Sequence, residues 1–380
     1  MSALHARAPR LELRDAASLA FDLAATSSAG HARKLRLWGR PLRLYANANL
    51  SIYVRQRCNA ACGFCVEELR PASRGSELAP QRTVLADDAA WLAGLREVLA
   101  TCGPWLGSVG VTGGEPSRDP LLARILAAMA ASGLRRRTMT TNASGLWRAV
   151  RRDDGSATTV VDAIADSRLM HLNISRAAVD PQRNAELMAM RGDVDSGGGL
   201  DDVALRAAIE RVKRAGVSVR LSCVLLRAEV CDLGGIDDYL SFAFGLGVQN
   251  VIFRQLMQPD PETTRPVGVA RYSERERVAL RPLLQQLSSS PSWRFLRQIV
   301  GYYYYVEVWQ RRVAGTWMTV TFEEADLGHI EAQKRREPGL AHELVYHPNG
   351  ALCTTWQPWD GALFSATGCP ETPARPQRHA

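Results

Sequence analysis

Leu50-Ser-Ile-Tyr-Val-Arg-Gln-Arg-Cys58-Asn-Ala-Ala-Cys62-Gly-Phe-Cys65 is the stretch that decides how this chain reads. Its first residues alternate apolar and polar side chains like a half-buried strand. That strand runs straight into a loop with three cysteines in a C-x3-C-x2-C run. The next strand, Val109-Gly-Val111, ends in a second special loop, Thr112-Gly-Gly-Glu-Pro116. Outward from this pair the pattern repeats. Strands are predicted at Thr138–Thr141 (closed by Asn142), Leu169–Ile174, Val217–Leu226 and Val248–Phe253. Helices are predicted at Asp87–Thr101, Leu121–Met129, Ala204–Ala215 and Ile236–Leu246. Alternating strands and helices mean a parallel sheet with helices outside it, here an α/β partial (β/α)6 TIM-like barrel with its ligand mouth at the strand ends.

Three regions are expected. Residues 1–46 form an N-terminal extension of helix and basic strand, 47–277 the core barrel, and 278–380 a smaller C-terminal α+β capping appendage with a frayed tail. In the last region Gly301–Val308 and Trp317–Phe322 read as antiparallel strands and Glu323–Arg336 as helical. Glu343–Tyr346 and Ala351–Thr354 read as a hairpin about Pro348-Asn-Gly350. Tyr302 to Tyr305 would alternate between two faces, while His347 and Trp356 are lesser candidates for substrate contact. Glu67 and Glu68 follow the cysteine loop and read as a solvated turn or partners of Arg70.

The bulk numbers exclude several classes. With 46% hydrophobic residues the chain is ordinary for a globular protein. No stretch reaches the roughly 20 apolar residues of a membrane helix. The apolar run Ala17–Ala25 follows Glu12, Arg14 and Asp15, which is wrong for a secretory signal, so a cytoplasmic protein is expected. Net charge is +8, but lysine occurs only at Lys34, Lys213 and Lys334, and the other 44 basic residues are scattered arginines. Nucleic-acid binding is not expected; an anionic small substrate fits better.

Eight cysteines in such a chain read as thiols or ligands before disulfides. A cubane of four irons and four sulfurs needs soft thiolates at close range, and three on one loop leave the fourth iron open. A structural zinc site is the rival reading, but zinc takes four ligands, commonly as two C-x2-C pairs, and the next Cys or His downstream is Cys102. Gly113 and Gly114 would let backbone approach a ligand's amino group, with Glu115 accepting its hydrogen bonds. The plain alternative is a strand-to-helix turn opened by Pro116. Likewise Asn142 is either a ligand contact or a left-handed turn residue, and Ser175 a ligand contact or a helix cap. Arg220 and Arg254 are costly if they face the barrel interior without an anion, and the sequence leaves their facing open.

Together these motifs resemble the radical S-adenosylmethionine superfamily over roughly Leu50 to Met257. The resemblance implies that Cys58, Cys62 and Cys65 ligate a 4Fe-4S cluster. It further implies that Phe64 packs on adenine and that Gly113, Gly114 and Glu115 bind the methionyl amino group. Thr140-Thr-Asn142 resembles the third strand end in the branch around molybdenum-cofactor and peptide-modifying members, and Ser175 with the later Asn184 and Arg191 is similar to viperin-like members. Asn173 and Ser175 would contact the ribose. Arg191, after Asn184, would contact the methionyl carboxylate. Implied cofactors are the cluster and S-adenosyl-L-methionine, with an electron donor such as flavodoxin or ferredoxin as partner. Cys353 and Cys369, sixteen apart, do not suggest an auxiliary-cluster domain, and the N-terminal stretch leaves no room for a peptide-recognition domain. The expected function is therefore hydrogen abstraction from a small polar metabolite, phosphorylated or sugar-containing. A peptide-modifying maturase is the alternative within the superfamily, and a zinc-stabilised, non-catalytic binding protein the alternative outside it.

Overall fold

Six strands in chain order, all parallel, build the centre of the molecule, and the residues between them explain why. The computed structural model describes residues 32–65, 84–190, 201–257, 268–300, 304–325, 334–335, 337–358 and 361–368. The expected N-terminal helix, Glu67, Glu68, Arg191, Tyr302, Tyr303, Cys369 and the C-terminal tail lie outside them.

A hairpin opens the described chain. β1 (Ala32–Leu37) pairs antiparallel with β2 (Arg40–Tyr53) across Trp38-Gly39. Then follow α1 (Asp88–Cys102), β3 (Ser108–Thr112), α2 (Leu122–Ala131), β4 (Arg137–Thr141), the short pair β5 (Ala149–Arg151) and β6 (Ala157–Thr159), and α3 (Val160–Asp166). β7 (His171–Ser175), α4 (Pro181–Leu187), α5 (Asp202–Arg214), β8 (Ser218–Leu225), α6 (Leu233–Gly245) and β9 (Asn250–Gln255) complete the core alternation. Asp87, Asp180, Asp201 and Asp232 each cap a helix by accepting from backbone amides of its first turn, which is why α1, α4, α5 and α6 start where they do.

The remaining elements are α7 (Val269–Glu276), α8 (Leu280–Ser289), β10 (Trp293–Val300), β11 (Tyr304–Val313), β12 (Thr316–Ala325), β13 (Leu340–Tyr346), β14 (Ala351–Cys353) and β15 (Ala362–Ser365). One sheet takes in nearly every strand, in the order β10-β11-β12-β9-β8-β7-β4-β3-β2-β13-β14-β15. The strands after residue 278 thus attach at both ends of the core: β12 pairs parallel with β9, and β13 parallel with β2. The expected boundary at 46/47 falls inside β2. The expected helix at Glu323–Arg336 is corrected at its start, where Glu323 to Ala325 end β12. Of its remainder only Lys334–Arg335, which are helical, and Arg336's neighbour Glu337 are described.

Period-2 alternation sorts the two faces of the sheet. Leu50 and Ile52 on β2, Val109 and Val111 on β3, Leu172 and Ile174 on β7, and Val219 and Leu221 on β8 lie in the helix-side core, at most 6% exposed. Burying each such side chain contributes about 1.5–3 kcal/mol. The opposite, inner face carries Ser51, Thr140, Asn173, Ser175, Arg220 and Arg254. This is the partial (β/α)6 barrel: an apolar coat under the helices and a polar inner face. No helix among the described residues is long and apolar enough to cross a membrane.

Candidate functional site

The cysteine loop is fixed from three sides at the C-terminal ends of the strands. Beneath its start, Asp119 accepts from Arg55 N (2.8 Å) and Gln56 N (3.2 Å) with one oxygen and from Leu121 N (2.8 Å) with the other. On the next side stands Asn142, just past β4. Its amide donates to Asn59 Oδ1 at 3.0 Å and reaches within 3.9 Å of Cys58 Sγ. The same Asn59 oxygen accepts from the Ser144 hydroxyl at 3.2 Å. The third side is the chain leaving α4: Ala61 N donates to Met188 O (3.1 Å), Cys62 Sγ lies 3.4 Å from that oxygen, and Ala60 bridges Met190.

Glu115 is the hub of this end. It is 2% exposed. One of its oxygens accepts from Ser117 N (2.8 Å), the Ser117 hydroxyl (2.7 Å) and the Thr141 hydroxyl; the other accepts from Asn142 N (2.7 Å). It therefore stitches the end of β3 to the end of β4. Burial pushes its carboxyl above the usual carboxylate range, against the pull of these donors. The second oxygen, with one donor, keeps a free acceptor direction.

The two glycines before it have a role beyond the ligand contact that the sequence suggests. The space a side chain would need at either is filled by protein rather than open to a ligand. A Cβ on Gly113 would sit 2.5 Å from the Tyr53 ring, and one on Gly114 would overlap the Gln56 carbonyl oxygen. Both residues also adopt positive φ, 75° and 40°. They let the two loops lie directly on one another.

The thiols differ in exposure: Cys58 is exposed, Cys62 and Cys65 partly buried. Burial pushes Cys58 up to about 11, opposed by the Ala60 amide. Burial, with the Cys65 and Cys58 thiols beside it, raises Cys62 further. Such thiols keep their protons unless a metal removes them. This donor set, three soft sulfurs on one loop, fits an iron–sulfur cluster. So does the buried Asn59 amide beside it, which lacks a partner among the described residues. Of the other described cysteines, Cys102, Cys223 and Cys353 are buried at 0% exposure, and nowhere among the described residues, the cysteine loop included, are three His, Cys, Asp or Glu grouped to hold a single metal ion.

The remaining sequence candidates divide. Phe64 packs against Tyr272 of α7, ring centroids 6.2 Å apart, and a Cβ on Gly63 would meet the same ring. Asn142 is not the left-handed residue of its turn; Ala143 is, at φ 66°. Ser175 is not a cap, since Asp180 caps α4; it stands on the inner face beside Ser222. Asn173 accepts from Arg220 Nε at 2.9 Å, and its own amide lies 3.4 Å from the Thr140 hydroxyl. Asn184 is 3% exposed and accepts from Ala177 N at 2.7 Å, so it shapes the loop after β7. Tyr305 lies in the helix-side core with its hydroxyl on Glu307. His347 is 2% exposed, its ring 3.1 Å from Thr355 O, which suits a structural role. Trp356 donates to Glu343 at 2.7 Å and meets the Tyr53 ring edge-on at 6.4 Å. Sequence reasoning missed Asp119, Asn59 and Tyr272. The one signal for Asp119 is its place as the acid three residues after Pro116.

No family model matches the chain. It is 25% identical over 227 residues to the GTP 3',8-cyclase of Rhizobium etli, an alignment covering 57% of this chain and 54% of that one. The chain thus spans about half the length of the curated relative it matches. Among solved structures, Streptococcus suis SuiB bound to S-adenosylmethionine superposes with a TM-score of 0.49 at 16% identity, covering 82% of this chain and 61% of that chain. A domain of pyruvate-formate lyase-activating enzyme from Bacteroides vulgatus gives 0.28 at 19% identity, over 43% and 88%.

Proposed function

We propose that the chain is a radical S-adenosylmethionine enzyme that abstracts hydrogen from a small polar metabolite in a biosynthetic pathway, in the cytoplasm. When bound, a 4Fe-4S cluster and S-adenosylmethionine supply a reductively generated carbon radical. The observation that carries the reading is the stacking of the Cys58–Cys65 loop on the Gly113–Glu115 turn, pinned by Asp119 and Asn142.

In this reading Cys58, Cys62 and Cys65 each hold one iron. The free acceptor direction on Glu115 and the backbone at Gly113 and Gly114 receive the methionyl amino group. Asn142, Asn173 and Ser175 lie on the inner side of the strand ends, where a ribose would be held, and Arg191 takes the carboxylate. Phe64, backed by Tyr272, offers a ring to the adenine. The strands after residue 278 extend the sheet on both sides, β12 beside β9 and β13 beside β2, and so widen the inner face on which a substrate would lie. Flavodoxin or ferredoxin would deliver the electron. A substrate bearing phosphate and sugar agrees with the printed activity of the curated relative, which acts on GTP.

Anaerobic reconstitution with iron and sulfide is the test. Broad visible absorbance bleached by dithionite is expected, followed by 5'-deoxyadenosine on addition of S-adenosylmethionine. Stoichiometric zinc without iron would sink the proposal. A cluster that forms without yielding 5'-deoxyadenosine would reduce the protein to a non-catalytic relative.

A further inference from the structure

We propose that Arg220 and Arg254 form an oxyanion subsite on the inner face, one that takes a carboxylate or phosphate group of the substrate; this rests on the reading above. The sequence left both arginines' facing open. The structure resolves it: their strand neighbours Val219, Leu221, Val251 and Phe253 all lie in the helix-side core, so Arg220 and Arg254 point to the inner face.

Their pairing is unequal. Arg254 makes an ion pair with Glu323 of β12 at 2.8 Å. Arg220, partly buried, has only a neutral partner, its Nε donating to Asn173 Oδ1 at 2.9 Å. That bond ties down one edge of the guanidinium and leaves the end with both Nη groups unpartnered among the described residues, a fork suited to two oxygens of one anion. Burial first, and the Arg254 charge next, lower Arg220 to about 10, with Glu323 offsetting part of the fall. Two cations and one carboxylate thus stand together on the inner face, and the partly buried Arg220 has no carboxylate of its own. Such an arrangement is costly until an anion arrives.

Position separates this subsite from the cysteine loop. The loop's contacts come from the ends of β3, β4 and α4, while the arginines and Glu323 stand on β8, β9 and β12, toward the other side of the sheet. An anion held there belongs to a molecule entering opposite the cysteines. The subsite is therefore assigned to substrate rather than to the methionyl carboxylate.

The test is calorimetric titration of the anaerobically reconstituted protein with inorganic phosphate and, separately, acetate, alongside S-adenosylmethionine. The stronger of the two anions identifies the group preferred. Arg220→Gln is expected to weaken that anion roughly tenfold to a hundredfold, as loss of a charged hydrogen-bond donor does, and to lower S-adenosylmethionine affinity far less, since Arg220 touches that site only through Asn173. Arg220→Lys should retain part of the binding, and its melting temperature controls for folding. Glu323→Gln, by removing the internal counter-charge, should tighten anion binding several-fold. Three outcomes overturn the proposal: no saturable binding of either anion, anion affinity indifferent to both Arg220→Gln and Glu323→Gln, or loss of S-adenosylmethionine binding instead. Absence of a cluster or of 5'-deoxyadenosine would sink the radical reading while leaving these anion titrations interpretable.

Discussion

Two carboxylates, Glu115 and Glu323, mark opposite sides of the same inner face and are used in opposite ways. Glu115 is buried and takes four donors from two strand ends, so it holds those ends together and keeps one acceptor direction free. Glu323 is partly exposed and meets one guanidinium of a pair. On the cysteine side, acids serve the scaffold; Asp119 does the same with three backbone amides. On the arginine side, cations outnumber acids and none of the charge organises the chain. The difference teaches which side is rigid and which is left to respond to a ligand.

The scaffold side should break most severely. Replacing any one of Cys58, Cys62 or Cys65 with Ala is expected to abolish 5'-deoxyadenosine formation and to lower bound iron, read by product chromatography and metal analysis. Next comes Gly114→Ala. The new Cβ would overlap Gln56 and sit at positive φ, so a loss of about 2–4 kcal/mol is expected from overpacking plus backbone strain. Gly133→Ala is the control: its φ of 73° is equally unfavourable, but nothing lies within 4 Å, so about 1 kcal/mol is expected. Urea unfolding of both variants, with cluster yield, compares them. Equal losses would mean that the stacking of the two loops contributes little.

Much of the scaffold side was legible because its signals are local. The cysteine spacing, the Gly-Gly-Glu-Pro turn and the Val- and Ile-rich strands each declare themselves within a few residues. Asp119 was not legible, since it acts on amides 63 and 64 residues away. The glycines were seen, but their packing role was not, because only the assembled fold reveals that protein fills the space beside them. The arginine side was hidden for another reason. Which way Arg220 points depends on the parity of β8 against its helices, and Glu323 reaches Arg254 only because β12 pairs with β9. That pairing joins residues about 70 apart, which no local periodicity encodes.

Glu115→Gln sharpens the comparison in the middle range. The amide nitrogen must face at least one donor, so a cost of about 1–3 kcal/mol is expected. Burial raises the folded-state carboxyl above its ordinary value of 4.5. The native protein therefore holds that proton more tightly than the unfolded chain, and the stabilisation is complete below the unfolded value and lost as pH rises through the folded one. The variant lacks this dependence. Its deficit relative to wild type should be largest near the acid end and shrink upward from pH 4.5, as urea unfolding across that range would reveal. A deficit that grows with pH would mean that the site is built for the ionised form.

The same substitution on the other side should do least to the fold. Glu323 and Arg254 retain 22% and 41% of their side-chain exposure, so solvent screens their attraction. Pairs of this kind contribute about 0–1 kcal/mol. Glu323→Gln is therefore expected to lower stability by under about 1 kcal/mol in low salt, with the difference vanishing as added salt screens the charges. A loss beyond about 2 kcal/mol, insensitive to salt, would place Glu323 beside Glu115 as part of the scaffold. The arginines would then be held by the protein for its own sake, and the two sides of the inner face would no longer differ in kind. A small, salt-sensitive loss leaves Arg220 and Arg254 as the charge the fold can spare.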